Sequence, residues 1–313
     1  MSSKKTLSIV ATLYKSESVI EEFVSKAITA AKKLKLSYEI ILVNDGSPDT
    51  SLEKALKIQY KEPSILIVDL ARNFGHHPAI LSGLSEAKGD FIFLMDSDLE
   101  EDPAWVIQFT EKMRSTKADV VFGQQMQRKG GIIENASGRI FYWVFNFLCE
   151  TKIPANFVTA RLMTRQYVDA LLEYGERALF LGGIFVITGF KQVPLLINKR
   201  SRGTSTYSLY MRLKLFVDAL TSFSPRPLYL VFAFGLLLIF FSLIGLIYIC
   251  IQAMLGRTLI GWASVMVSVW LLGGLTLFSI GLVGTYVGKT LLETKQRPLF
   301  KVRCVHRRSQ LLN

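Results

Sequence analysis

A chain of 313 residues, half of them apolar, is long enough for one sizeable α/β domain plus a further segment, and its hydrophobicity excludes a disordered protein. The formal charge of +12 raises nucleic-acid binding, but much of the excess gathers at Arg200, Arg202, Arg212, Lys214, Arg226 and residues 289–313, beside long uncharged runs. Attraction to anionic lipid accounts for it more simply, and no nucleic-acid partner is expected. Cys149, Cys250 and Cys304 lie far apart without metal-ligand spacing and read as free thiols of a reducing compartment.

In chain order, Met1–Thr6 is polar and basic and lacks the apolar core of a signal peptide, so the front domain is expected to stay in the cytoplasm. Leu7–Leu13 suits a buried strand, and Ser18 with Glu21 makes a capping-box signature for a helix reaching about Lys35. The alternation repeats: Tyr38–Asn44, Ser64–Ala71, Asp90–Asp96 and Asp119–Gly123 are strand-like, and the segments between them, with Pro103–Ser115, are helix-like. That is the α/β pattern of a mostly parallel sheet with helices on both faces, which binds ligands at the carboxyl ends of its strands.

Two strand ends carry the chemistry. Val43-Asn44-Asp45-Gly46-Ser47-Pro48-Asp49 would aim Asp45 into the crevice, where it could accept from a nucleobase N–H. The same residues also read as a polar turn in which Asp49 or Ser47 caps the next helix. Phe91-Ile92-Phe93-Leu94-Met95 leads into Asp96-Ser97-Asp98. A strand period of two would send both carboxylates to one side, where they repel unless a cation sits between them. Hard Mg²⁺ or Mn²⁺ suits such oxygen ligands and would neutralise a leaving diphosphate. His76 and His77 are neighbours that diverge, and are assigned supporting or solvated roles.

Residues 132–198 are less regular, with helical stretches at Ile140–Cys149 and Gln166–Tyr174. Between Tyr207 and Phe223, Leu209, Leu213, Phe216, Val217 and Leu220 recur at helical spacing; this amphipathic helix lies on a membrane surface or packs on the catalytic domain. Leu228–Gly256 and Thr258–Gly288 contain no charge, and each exceeds the roughly 20 residues that cross a bilayer. The following segment carries Lys289, Lys295, Arg297, Lys301, Arg303, Arg307 and Arg308 against Glu293, whereas the loop between the runs has only Arg257. The positive-inside rule places front domain and tail in the cytoplasm. Trp105, Trp143, Trp262 and Trp270 read as core and interface residues.

In their order, Ile9-Val10-Ala11-Thr12-Leu13-Tyr14 with Glu17, the Val-Asn-Asp-Gly-Ser turn, Arg72-Asn73-Phe74-Gly75 and Asp96-Ser97-Asp98-Leu99 resemble the family 2 glycosyltransferases with the GT-A fold. Glu176-Arg177-Ala178-Leu179-Phe180, Arg200-Ser201-Arg202-Gly203-Thr204-Ser205, the helix hairpin, Gly284-Thr285-Tyr286-Val287-Gly288 and Arg297-Pro298 are similar to the bacterial polyprenyl-phosphate glycosyltransferases, relatives of dolichyl-phosphate mannose synthase. The resemblance covers nearly the whole chain. It implies a cytoplasmic GT-A catalytic domain at 1–206, an amphipathic juxtamembrane helix at 207–226, two transmembrane helices at 227–288 and a basic cytoplasmic tail at 289–313, in a bacterial inner membrane. It also implies inverting transfer from a nucleotide sugar, with uridine as the expected base, to polyprenyl phosphate during cell-envelope glycan synthesis. A homo-oligomer is compatible with the sequence but not required by it.

The resemblance further implies donor contacts from Thr12, Tyr14, Glu17, Asp45, Arg72, Asp96, Ser97 and Asp98, with Asp96 and Asp98 also holding Mg²⁺ or Mn²⁺. Arg200, Arg202, Ser205 and Tyr207 match the acceptor-phosphate loop, where a guanidinium can hold a phosphate by paired hydrogen bonds. Asp98 and Arg200 are the expected catalytic residues. The chain departs from the family pattern at Thr12, where proline is common, at Lys15-Ser16 in place of Asn-Glu, and at Glu100 in place of Gln. It also departs within Val158-Thr159-Ala160-Arg161-Leu162-Met163, where Thr159 replaces an acid. An alcohol acceptor would need that acid as a base, whereas a phosphate is already an anion at neutral pH, so the sequence points to transfer without a protein base. A processive polysaccharide synthase is the competing enzyme reading, but no tryptophan follows an arginine here. A non-catalytic membrane subunit that binds nucleotide or lipid is the other alternative.

Overall fold

The computed structural model describes residues 5–125, 147, 154, 156–177, 181–198, 221, 224–255 and 261–307. The chain divides into two compact units, one of residues 1–142, 151–207 and 297–313 and one of residues 143–150 and 208–296.

The first unit is built on an eight-stranded sheet. Its strands are β1 Thr6–Leu13, β2 Ser37–Asn44, β3 Ile65–Leu70, β4 Phe91–Asp96, β5 Val120–Gln125, β6 Phe157–Thr164, β7 Gln192–Ile197 and β8 Val302–His306, in the order β7-β5-β6-β4-β1-β2-β3-β8. The β1–β2, β1–β4, β2–β3 and β5–β7 pairs are parallel, while β4–β6, β5–β6 and β3–β8 are antiparallel. The helices are α1 Ile20–Lys33, α2 Ser51–Lys61, α3 His76–Glu86, α4 Trp105–Thr116, α5 Arg165–Leu172 and α6 Leu181–Ile187.

The two-residue period of the strands sorts their side chains. Leu7, Ile9, Ala11 and Leu13 of β1 join Ile40, Leu42, Phe93 and Met95 in one core beneath Phe23, Ala27, Val106 and Phe109 of the α1 and α4 helices. Phe93 and Phe109 meet edge to face with centroids 5.4 Å apart. The opposite face carries Val10 and Val43 and is covered by α3, whose Gly83 lets the helix approach: a Cβ there would lie 2.5 Å from Val10 Cγ1 and 2.8 Å from Val43 Cγ2. By the same alternation Thr12 and Asp96, which are register partners, follow Val10 and Leu94 onto the α3 face.

Several sequence expectations change. Ser18 and Glu21 form no capping box. Helix α1 begins at Ile20 after an N-cap Val19 without a side-chain cap bond, and Ser16 O receives the N–H groups of Val19 and Ile20. The helix over Ile140–Cys149 falls outside the described residues apart from Phe147, and the amphipathic segment Tyr207–Phe223 apart from Thr221. Part of the expected tail is sheet: Val302–His306 forms β8 against β3.

The second unit contains α7 Arg226–Met254 and α8 Trp262–Thr294. At 1.5 Å per residue they are roughly 44 and 50 Å long, and within them Arg226–Gly245 and Ser268–Thr294 are long and apolar enough to cross a membrane. Phe232, Phe240, Trp262, Trp270 and Leu277 are all exposed on them. Tyr286 of α8 donates to Ser224 O just before α7 at 2.6 Å.

Candidate active site

The carboxyl ends of β1, β2 and β4 lie side by side, with Thr12 opposite Asp96 on one flank and Val43 on the other. Ser97 locks two of these ends together: its buried Oγ donates to Thr12 O at 2.7 Å and lies 3.1 Å from Ser16 Oγ. Its hydroxyl is therefore engaged in holding β1 against the end of β4.

Asp96 is the last residue of β4. Its N–H donates to Glu101 Oε2 at 3.1 Å, and its Oδ1 is buried without a hydrogen-bond partner among the described residues. The Nε2 of His76, the first residue of α3, lies 3.4 Å from that oxygen, close enough for attraction without forming a hydrogen bond, and its Nδ1 lies 3.3 Å from Thr12 Oγ1. An unsatisfied buried carboxylate oxygen at a strand end is a natural acceptor for a ligand or cation.

The strand period does not carry to Asp98. The strand stops at Asp96, and Leu99 adopts φ 61°, an uncommon state for a side chain branched beyond Cβ, so the chain bends away. Asp98 is exposed, and its Oδ1 accepts the Glu100 N–H at 2.9 Å.

The β2 end is built around Asp45 and Gly46. Asp45 is buried and accepts the N–H groups of Phe74 at 2.7 Å and Gly75 at 3.0 Å, tying the Arg72–Gly75 loop to β2. Burial pushes its carboxyl above the usual range, against the pull of those two bonds. Gly46, at φ +57°, packs directly on this loop, since a Cβ there would lie 2.4 Å from Asn73 N. Arg72 is exposed, its guanidinium 4.0 Å from the Phe74 ring centroid and its Nη1 donating to Asn73 O at 2.9 Å.

Glu17 and Asp49 face each other across the start of α2. Glu17 Oε2 accepts from Thr50 Oγ1 at 2.7 Å and Thr50 N–H at 3.2 Å, and these bonds lower its pKa. Asp49 accepts from Ser47 Oγ, Ser51 N–H and Glu17 N–H. Burial opposes its charge, but the hydrogen bonds from Ser47, Ser51 and Glu17 together outweigh burial and hold it at about 2. Ser47 and Asp49 thus form the polar turn before α2, but the N-cap itself is Thr50, which makes no side-chain cap bond. Tyr14 is about half exposed beside them, with Lys15 Nζ 5.7 Å from its ring centroid.

The structure therefore brings Thr12, Asp45, Arg72, Asp96, Ser97 and Asp98 to the ends of four adjacent strands, β4, β1, β2 and β3, and turns the Glu17 carboxylate toward Thr50. Arg200, Arg202, Ser205 and Tyr207 lie outside the described residues. Two further residues join the site, of which sequence reasoning gave His76 a supporting or solvated role and did not single out Glu101. His76 reaches Asp96 and Thr12 from the start of α3. Glu101 is fully buried, its two oxygens accepting the Asp96 and Ala160 N–H groups, which bind the end of β4 to β6.

Glu101 and Asp96 also act on Arg161 of β6. Burial lowers this guanidinium to about 10, against the pull of the neighbouring Tyr167 hydroxyl and the Glu101 and Asp96 carboxylates, so it stays protonated at neutral pH. Its Cζ lies 3.3 Å from the Phe185 ring centroid, and it donates to the carbonyls of Thr159 and Val158. Thr159, at the position of the absent acid, is half-buried on β6.

The family model described as "Glycosyl transferase family 2" matches residues 8–172, which span every one of these strand ends. A Mycobacterium tuberculosis (strain CDC 1551 / Oshkosh) protein named "Putative glycosyltransferases" is 46% identical over 96% of this chain and 88% of its own length. The "Prophage bactoprenol glucosyl transferase homolog" of Escherichia coli (strain K12) is 32% identical over 96% of this chain and 99% of its own. The "Bactoprenol glucosyl transferase" of Shigella phage SfII is 30% identical over 96% and 98%. The chain belongs to glycosyl transferase family 2.

Proposed function

We propose that this glycosyltransferase moves a sugar from a nucleotide-sugar donor, a UDP-sugar in our reading, to a polyprenyl phosphate, with inversion at the anomeric carbon. The buried, unsatisfied Asp96 Oδ1 at the crevice of β1, β2 and β4 carries the donor half of this reading. Asp96 and Asp98, with diphosphate oxygens and water, make the oxygen donor set preferred by Mg²⁺ or Mn²⁺. Among the described residues no three acidic, His or Cys side chains gather into a complete cage, which suits an ion held largely by its substrate. Such an ion would offset charge on the departing diphosphate. Arg72, Thr12 and Tyr14 complete the donor contacts, with Asp45 fixing the loop that bears Arg72.

The acceptor half is supported by the apolar surfaces of α7 and α8, which need a hydrocarbon cover, and by relatives named for bactoprenol that match along nearly their full length. The helices then anchor the chain in a bacterial inner membrane with the catalytic unit and the basic segment on the cytoplasmic side. Arg200 and Arg202, with Ser205 and Tyr207, hold the lipid phosphate.

Chemistry at this acceptor requires little proton transfer. With a second pKa near 6, a lipid monophosphate carries its own nucleophilic charge. One of its oxygens bonds to the anomeric carbon as the bond to the diphosphate breaks, and the nucleoside diphosphate leaves with the electron pair. Glu101 does not stand in for the acid replaced by Thr159, because it is fully buried and both its oxygens accept backbone N–H groups.

The test is to incubate the purified full-length chain with polyprenyl phosphate, Mg²⁺ or Mn²⁺ and a panel of labelled nucleotide sugars, then extract lipid. Labelled lipid is expected from one donor, and its loss with chelator or with Asp96→Asn. No labelled lipid from any donor would sink the proposal. Loss of turnover with retained donor binding on replacing Glu150, the nearest acid before Thr159 in the sequence, by glutamine would overturn the base-free step.

A further inference from the structure

Strand β8 closes the sheet at β3, and its pairing is irregular in one place. Asp69 lies opposite Cys304 and Leu70 opposite Val302, so Arg303 is the extra residue of a β-bulge. Bulges re-aim side chains, and this one turns Arg303 over the end of β3. Its Nη1 lies 3.5 Å from Asp69 Oδ2, and its Nη2 donates to Ala71 O at 2.7 Å. The backbone adds a second tie, from Ala71 N–H to Lys301 O at 2.9 Å. Asp69 is buried, and its other oxygen accepts from Asn44 Nδ2 at 2.7 Å, beside Asp45.

Ala71 immediately precedes the Arg72–Gly75 loop. That loop is held at its far end by Asp45 through Phe74 and Gly75. The β8 segment holds its near end, so the short stretch bearing Arg72 is fixed on both sides.

We infer that Arg303, on the segment that follows the second apolar helix, is a positioning residue for the nucleotide-binding loop Arg72–Gly75. The inference rests on reading that crevice as the nucleotide-sugar site. With its near end released, the loop samples more conformations, and the cost of ordering it again on binding weakens the complex. A planar guanidinium reaches a carboxylate and a carbonyl at once, which a lysine cannot do with the same geometry.

The arginine is 60% exposed, so removing it leaves no buried void and the variant can be tested in the intact chain. Full-length wild type, Arg303→Ala, Arg303→Lys and Arg307→Ala are purified in detergent and titrated with UDP and with GDP in Mg²⁺ by calorimetry. Arg307 pairs with Glu86 at 3.0 Å, at the end of α3 remote from His76, and controls for loss of a β8 ion pair as such. Arg303→Ala should weaken the bound nucleotide about 5- to 20-fold, in the range of energetic coupling between neighbouring sites. Arg303→Lys should fall between, and Arg307→Ala should match wild type. Amide exchange at Phe74 and Gly75 should rise most in Arg303→Ala, less in Arg303→Lys and not in Arg307→Ala. If that variant fails to fold, Arg303→Lys carries the test through the same two readouts. Equal affinity in wild type and both Arg303 variants, or equal weakening in Arg303→Ala and Arg307→Ala, overturns the inference by itself. A wild type that binds neither nucleotide overturns the donor-site reading, and this inference with it.

Discussion

Replacing Gly46 by alanine should damage the donor crevice more than any other single methyl group placed at its rim. The residue sits at φ +57°, and the added Cβ would lie 2.4 Å from Asn73 N and 2.5 Å from Arg72 C. Neither neighbour is a side-chain tip that can rotate away. The left-handed backbone costs an alanine about 1–2 kcal/mol, and overpacking adds about 1–3 kcal/mol, for a total of roughly 2–5 kcal/mol. For a domain of this size that lowers Tm by roughly 4–20 °C. Ordinary contact starts at 3.4 Å, so the Arg72–Asn73 backbone has to retreat by about 1 Å, a displacement that can cost ~100-fold in turnover. Two controls separate the causes. Gly189→Ala meets a positive-φ backbone penalty at φ +85° with nothing within 4 Å and away from the crevice, and Gly175→Ala meets neither. Thermal unfolding and sugar-transfer rate should rank Gly46→Ala as most impaired, then Gly189→Ala, with Gly175→Ala near wild type. A Gly46→Ala protein with the melting temperature and rate of Gly175→Ala would refute the close approach of the two turns.

Because hydrogen bonds hold Asp49 at about 2 against an ordinary 3.8, its stabilising contribution is present above pH 4 and lost as pH falls through about 2. Denaturant unfolding of wild type and Asp49→Asn should therefore show a stability gap that closes between pH 4 and 2; a constant gap would contradict the assignment. Arg161→Met removes the donor to the Thr159 and Val158 carbonyls and the buried positive charge that acts on Glu101, and should cost about 1–3 kcal/mol. The double variant Arg161→Met/Glu101→Gln should recover part of that loss in a thermodynamic cycle, and simple additivity of the two single variants would show the charges to be uncoupled.

The strand ends were legible because periodicity and length mark β1 to β5, and Asp96 follows from the end of an apolar run. What the pattern missed lies in contacts distant along the chain or in local backbone bends. Asp98 lies beyond the last residue of β4, where a strand period no longer governs the chain, and its Oδ1 accepts the Glu100 N–H of the following turn. Asp45 reads as a residue waiting for a nucleobase, yet backbone N–H groups nearly thirty positions later already reach it. Glu101 sits in Glu100-Glu101-Asp102, a run that looks solvated, and only the neighbouring β6 strand explains why its carboxylate is buried. Likewise Val302–His306 reads as part of a charged tail, since its partner β3 is more than two hundred residues upstream.

That separation bears on how the protein is made. Strand β3, Ile-Leu-Ile-Val-Asp-Leu, is an apolar ribbon whose outer edge stays unpaired until β8 exists. At about 5–20 residues per second, synthesis from Ala71 to Val302 leaves that edge open for roughly 10–50 s, a window in which it can pair with another chain. Both apolar helices are translated within that window. A ribosome that stalls inside the hairpin therefore releases a catalytic unit with an uncovered, sticky sheet margin, whereas a chain completed through α8 carries its own cover. Sheet closure thus marks chains whose two apolar helices have been fully translated.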